Sequence, residues 1–235
     1  MAWFSKMRGS LAVAALALTL AIHLAPASWA VETAAPIPPP AHDPAPTRVG
    51  LQSVVLAGGC FWGVQGVFQH VEGVEQAVSG YAGGTRASAR YDAVSLGRTG
   101  HAESVKVTYD PKIVSLGRIL RVYFSVAHDP TQLDRQGPNQ GTQYRSAIFV
   151  ADPGQERVAR DYIAQLDAAR VFRVPIATRI EQLSEFYPAE GYHQDYLFHH
   201  PDETYVATND LPKIANLKRL LPDLYRETPK LVSRR

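Results

Sequence analysis

Val54-Val55-Leu56-Ala57-Gly58-Gly59-Cys60-Phe61-Trp62-Gly63 is the stretch on which the fold turns. Val54 to Ala57 form an apolar run that reads as a strand, the two glycines read as a tight turn, and Val64, Val67, Phe68 and Val71 then recur at helical spacing. Cys60 therefore opens a helix, where backbone N–H groups and the positive end of the helix dipole face its sulfur and favour thiolate over thiol. Position carries the argument, because a lone cysteine is by type more often a small buried hydrophobe than a catalyst.

Outward from this unit, Val74 to Tyr81 is a weaker strand candidate ending in Gly80-Tyr81-Ala82-Gly83-Gly84, and the polar residues 85 to 101 read as loop. Val105, Val107 and Tyr109 alternate with polar residues, which predicts a half-buried strand stopped by Asp110-Pro111. Ser115 is placed to cap a helix carrying Leu116, Ile119, Leu120, Tyr123 and Phe124, which ends before His128-Asp129-Pro130. Residues 131 to 144 read as a loop whose length points to function, and Ala147 to Val150 as a short buried strand. Asp152, Pro153 and Gln155 suit the first positions of a helix whose Val158, Tyr162 and Leu166 share a face. Thr178 to Ile180 predicts a last strand, Glu190 to His199 a helix, and Thr204 to Tyr225 a segment wrapping the surface. Antiparallel pairing is expected near residues 105 and 148. The whole reads as a two-layer α+β sandwich.

The N-terminus has a different character. Lys6 and Arg8 precede an apolar stretch from Leu11 to Leu24, and Ser28-Trp29-Ala30 offers small residues for cleavage after Ala30, so residues 1–30 are expected to be a secretory signal rather than a retained anchor. Residues 31–48, with six prolines, read as a flexible linker. Residues 49–235 then form one domain. Without Lys6 and Arg8 the chain carries 22 basic and 22 acidic residues, which excludes a strong field for nucleic acid or membrane. The only methionines, Met1 and Met7, leave with the signal, and Trp62 becomes the only tryptophan. One cysteine cannot form an internal disulfide, and its survival in an oxidising compartment argues that it is kept for chemistry.

Five blocks, Gly59-Cys60-Phe61-Trp62-Gly63, Gly80-Tyr81-Ala82-Gly83-Gly84, Gly100-His101-Ala102-Glu103, Gly141-Thr142-Gln143-Tyr144-Arg145-Ser146 and His193-Gln194-Asp195-Tyr196-Leu197, together resemble the peptide methionine sulfoxide reductases of the A type, over roughly residues 50 to 200. The resemblance implies a ferredoxin-like α/β sandwich with long loops and a wrapping C-terminal segment. It also implies reduction of the S epimer of methionine sulfoxide, free or in proteins, without a bound cofactor. On that resemblance Cys60 attacks sulfur and Glu103, partly buried so that desolvation raises its pKa, donates the proton. Tyr81 and Tyr144 hold the sulfoxide oxygen, Phe61 and Trp62 pack around the substrate methyl, and Asn139 recognises substrate polar groups. His101 and His193 are read as structural hydrogen-bonders. No His, Cys and carboxylate set has metal-ligand spacing.

Two departures from the family pattern matter. Asn139 stands where the family usually has aspartate, which removes a negative charge and is expected to lower the Cys60 pKa relative to aspartate there. Many members carry resolving cysteines near the C-terminus; this chain has none, so the sulfenic acid must meet an external thiol, from a thioredoxin-like donor or a small thiol. The expected setting is exported, periplasmic in a Gram-negative source, with a monomeric enzyme acting on oxidised proteins or free methionine sulfoxide. Three other readings compete: a Cys-His hydrolase using Cys60 with His101 or His193, an extracytoplasmic binding domain with an inert cysteine, and a lipoprotein. The last fails on position, since Cys60 lies far beyond the apolar stretch.

Overall fold

The structure, a computed structural model, describes Met1, residues 34–45 and residues 50–232. Beyond Met1, the expected signal segment lies outside the described residues. Strand β1 (Gln52–Gly58) leads into helix α1 (Phe61–Gln69) and strand β2 (Val74–Ala82). A short helix, α2 (Tyr91–Val94), interrupts the first polar segment before β3 (Ala102–Tyr109). Helix α3 (Leu116–Val122) runs on as a π-turn through Tyr123–Ala127. The second long loop holds a small hairpin, β4 (Arg135–Gln136) and β5 (Asn139–Gln140), and is followed by β6 (Ser146–Val150) and α4 (Pro153–Ala168). The chain closes with β7 (Arg179–Gln182), β8 (Phe186–Pro188), α5 (Tyr196–His199) and α6 (Leu211–Leu220).

One sheet has the order β7-β6-β1-β3-β2-β8. Its four inner strands, β6-β1-β3-β2, are antiparallel, with α1 between β1 and β2 and α3 between β3 and β6, which is the expected ferredoxin-like arrangement. The antiparallel pairing foreseen near residues 105 and 148 exists, but each partner is β1, which lies between them: Leu56 faces both Val105 and Ile148. Alternation along the strands separates two apolar sets. Val54, Leu56, Val105 and Val107 pack with Phe68, Ile119, Leu120 and Tyr162 of the helical layer. Val55, Ala57, Ala102, Ala147 and Phe149 form a smaller cluster capped by Leu183 and Phe186. The N-caps are as expected: Ser115 accepts from the Arg118 N–H and Asp152 from the Gln155 N–H.

Several segments differ from their sequence reading. Residues 34–45 form a strap on the helical layer instead of a loose linker. Prolines supply carbonyls, and the helices supply donors: Tyr162 Oη to Pro38 O (2.7 Å) and Gln165 Nε2 to Pro39 O (2.9 Å). Asp43 accepts from the Gly117 N–H and the Ser115 hydroxyl at the start of α3, and Ile37 is 4% exposed. The helix expected over 190–199 is broken, because Asp195 takes a left-handed φ of 58° between a 3₁₀ turn and α5. The tail is more than a wrapping: Leu217, Leu221 and Leu224 join the core, Val206 is fully buried, and α6 packs on α1. No helix among the described residues is long and apolar enough to cross a membrane.

Candidate active site

Gly59 turns the chain from β1 into α1 at φ 88°, and a Cβ there would lie 2.6 Å from the Gln136 side chain, so the position requires glycine on two counts. Cys60 is the N-cap of α1 and makes no side-chain capping hydrogen bond, although the Trp62 N–H acts on the thiol in the sense that favours the charged form. The helix start foreseen from the strand–turn–helix is present, yet it does not decide the protonation state. Burial pushes the thiol well up, Asp210 and, once ionised, Glu103 push the same way, and the Trp62 N–H and Lys213 are outweighed. The resting form is the thiol, which corrects the expectation of a thiolate. Asp210 and Lys213, 3.6 Å apart, sit behind the first turn of α1, and the Asp210 carboxylate fills the space a Cβ on Gly63 would need.

Glu103 is 2% exposed on β3, where it accepts the Phe61 N–H at 3.1 Å. Burial raises its pKa to about 8 against that hydrogen bond, with Asp210 adding to the rise. It is a neutral acid at pH 7. Cys60, Phe61, Trp62, Tyr91, Glu103, Asn139, Tyr144, Glu203 and Tyr205 line one cavity of about 230 Å³, below the usual range for whole small-molecule ligands and suited to a single side chain. Burial raises the phenol pKa values of Tyr91, Tyr144 and Tyr205, so their hydroxyls remain donors. Asn139 Nδ2 donates to Tyr205 Oη (2.6 Å), and the Tyr205 hydroxyl in turn meets the Cys60 sulfur.

Six of the seven residues singled out from sequence, Cys60, Glu103, Tyr144, Phe61, Trp62 and Asn139, meet in this cavity. Tyr81 does not. Its ring is fully buried and its hydroxyl donates to Glu190 Oε2 at 2.8 Å. The cavity takes Tyr91 instead, from the segment read as loop, and Tyr205 was also missed. Tyr91 heads α2, and its N–H is held by Glu190 Oε1 at 2.9 Å. Glu190 thus serves Tyr81 and Tyr91 together and lies 4.0 Å from His193, whose Nδ1 accepts from Trp62 Nε1 at 3.2 Å. Trp62 is pinned on its other side by Tyr196, stacked at 3.7 Å and 9°. His101 receives the Gly84 N–H and contacts Thr85 O through Nε2. Neither histidine lines the cavity, so the base a Cys-His hydrolase needs is missing beside Cys60. Among the described residues no cluster of His, Cys, Asp and Glu could hold a metal ion.

Fold and cavity together define a ferredoxin-like α+β domain whose cysteine faces a neutral carboxylic acid and a fence of phenols. A family model for peptide methionine sulfoxide reductase matches residues 52–223. Peptide methionine sulfoxide reductase MsrA 2 of Mesorhizobium japonicum is 59% identical over 183 residues, covering 78% of this chain and 94% of that protein. Two solved structures are similar: methionine sulfoxide reductase A of Corynebacterium diphtheriae (37% identity, TM-score 0.55, 66% of this chain and 77% of that one) and reduced Mxr1 of Saccharomyces cerevisiae (32%, 0.59, 68% and 91%). The chain belongs to the peptide methionine sulfoxide reductase family, A type, and is a methionine sulfoxide reductase.

Proposed function

We propose that the chain reduces the S epimer of methionine sulfoxide through Cys60, with an external thiol completing the cycle. The observation that carries this reading is a neutral carboxylic acid, Glu103, sharing a one-side-chain cavity with the only cysteine of the chain. The Tyr91 and Tyr144 hydroxyls hold the sulfoxide oxygen. As the Cys60 sulfur gives its electron pair to the sulfoxide sulfur, the Glu103 proton passes to the oxygen and the carboxylate takes the thiol proton. Keeping Glu103 neutral until this moment removes a charge that otherwise opposes the thiolate. The S–O bond breaks, the hydroxyl ends on Cys60 as a sulfenic acid, and methionine leaves. The substrate is reduced by two electrons and Cys60 is oxidised by two. A thiol of the donor then attacks the sulfenic sulfur, water departs, and a second thiol resolves the mixed disulfide. Phe61 and Trp62 wall the cavity where the substrate methyl rests.

A thioredoxin-like protein or a small thiol fits the donor role, because a chain with a single cysteine has no internal partner for the sulfenic acid. The basic, apolar and small-residue pattern of residues 1–30 supports export and repair of oxidised exported proteins. The test is reduction of racemic N-acetyl-methionine sulfoxide with dithiothreitol, resolved on a chiral column, beside Cys60→Ser. Consumption of the S epimer alone, lost in the variant, is expected. Turnover of neither epimer, of both, or undiminished turnover by Cys60→Ser would overturn the reading.

A further inference from the structure

Next to the reaction cavity lies a larger groove of about 550 Å³, lined by Pro138, Glu203, Thr204, Tyr205, Thr208 and Asn209. It shares Glu203 and Tyr205 with the cavity, so the two adjoin, and Cys60 lines only the cavity. A side chain in the cavity has its chain neighbours about 3.8 Å away, Cα to Cα. A peptide therefore extends into the groove, and a free amino acid leaves most of it empty. Glu203 is the only acidic or basic residue lining the groove, and in the cavity the other carboxyl, Glu103, is held neutral by burial. The charge is also held in place. Tyr196 Oη donates to Glu203 Oε2 at 2.6 Å, and the Tyr196 ring is itself fixed by stacking on Trp62.

We propose that this groove binds the residue adjoining methionine sulfoxide in a peptide chain and that Glu203 selects a cationic side chain there. The proposal rests on the reductase reading and names its substrate class: peptide-bound methionine sulfoxide beside lysine or arginine. The carboxylate is solvent-exposed, so the effect is that of a surface ion pair, about fivefold in kcat/KM, and it shrinks as salt is added.

The experiment compares acetyl-Lys-Met(O)-amide and acetyl-Met(O)-Lys-amide with their glutamate counterparts, taking lysine-to-glutamate ratios of kcat/KM within each protein so that a general loss of rate cancels. With the whole chain, the ratio is expected near five at one of the two positions. It falls to about one in Glu203→Gln and inverts in Glu203→Lys. A ratio of one at both positions in the unaltered chain, or a lysine preference that survives in Glu203→Lys, overturns the proposal. Acetyl-Ala-Met(O)-amide separates the two failures: its turnover alongside a ratio of one rejects only the subsite, and no turnover of any peptide rejects the reductase reading as well.

Discussion

Two buried polar clusters lie against the turn that follows β1, and they differ in how completely their hydrogen bonds close. In one, His128 donates from Nδ1 to Tyr123 O (3.1 Å) and its Nε2 accepts from the Ser146 hydroxyl (2.7 Å). Ser146 also meets Tyr123 Oη (2.9 Å) and Thr178 Oγ1 (2.7 Å), and Tyr123 Oη donates to Ala57 O (2.7 Å). Burial pushes the His128 pKa down to about 3 and the ring stays neutral. In the other, Glu103 has the Phe61 N–H and the cavity, and Cys60 has the Tyr205 hydroxyl and the cavity. Both clusters hold a serine or cysteine near an ionisable group. The closed one is a fastening, and the one left open toward a cavity has capacity for chemistry.

The largest expected effect breaks the fastening. His128→Ala removes a buried ring, takes one of three partners from the Ser146 hydroxyl and takes the ring donor from the Tyr123 carbonyl, so it is expected to lower the unfolding free energy by about 3–5 kcal/mol. Cys60→Ser should stay within about 1 kcal/mol of the parent. Urea titrations of the two variants decide it, and a His128→Ala midpoint equal to that of Cys60→Ser erases the distinction.

Stability against pH sharpens the contrast, because the two clusters respond with opposite sign. Glu103 has a folded pKa raised from an ordinary 4.5 to about 8, so its stabilisation is complete below pH 4.5 and is lost as pH rises toward 8. His128 has a folded pKa depressed from 6.5 to about 3, so its contribution is present above pH 6.5 and is lost as pH falls toward 3. Each slope is at most about 1.4 kcal/mol per pH unit. Glu103→Gln is expected to abolish the alkaline decline and keep the acid one. Its kcat/KM should drop about 100-fold, with loss of the parent's fall in rate above pH 8. An unchanged alkaline limb, in stability or in rate, assigns it to another group.

The smallest effects separate the two tyrosines. Tyr91→Phe, which removes a donor from the cavity while Tyr144 remains, is expected to lower kcat/KM about tenfold with little change in stability. Tyr81→Phe deprives Glu190 of a partner and is expected to cost about 1 kcal/mol of stability, with the smaller kinetic change of the pair. Steady-state rates and thermal melts of both variants test the assignment, and the reverse ranking would return Tyr81 to the site.

The sequence was most legible where local signals agreed. The strand–turn–helix at Cys60, the caps at Ser115 and Asp152 and the alternation in β3 all rest on short-range pattern, and all appear as expected. The misses have physical reasons. Tyr91 sits on a helix of four residues in a polar segment, too short to show a period, and a long-range bond to Glu190 holds it in place. Tyr81 lies opposite Glu103 in the β2–β3 register, yet its hydroxyl is taken by a residue far along the chain. The strap at 34–45 has proline-rich composition, and its one buried hydrophobe, Ile37, is no periodic signal. Tyr205 reaches Cys60 only because the tail folds onto α1.

Trp62 gives the site an optical readout. Beyond residue 29 it is the only indole in the chain, and it follows Cys60 directly. It is clasped between the Tyr196 ring and His193. Its emission therefore reports on a few ångströms around the sulfur. A change at Cys60 from thiol to sulfenic acid to mixed disulfide alters the polarity and quenching felt by that one chromophore, so a stopped-flow trace can follow the redox state of the cysteine without any added label.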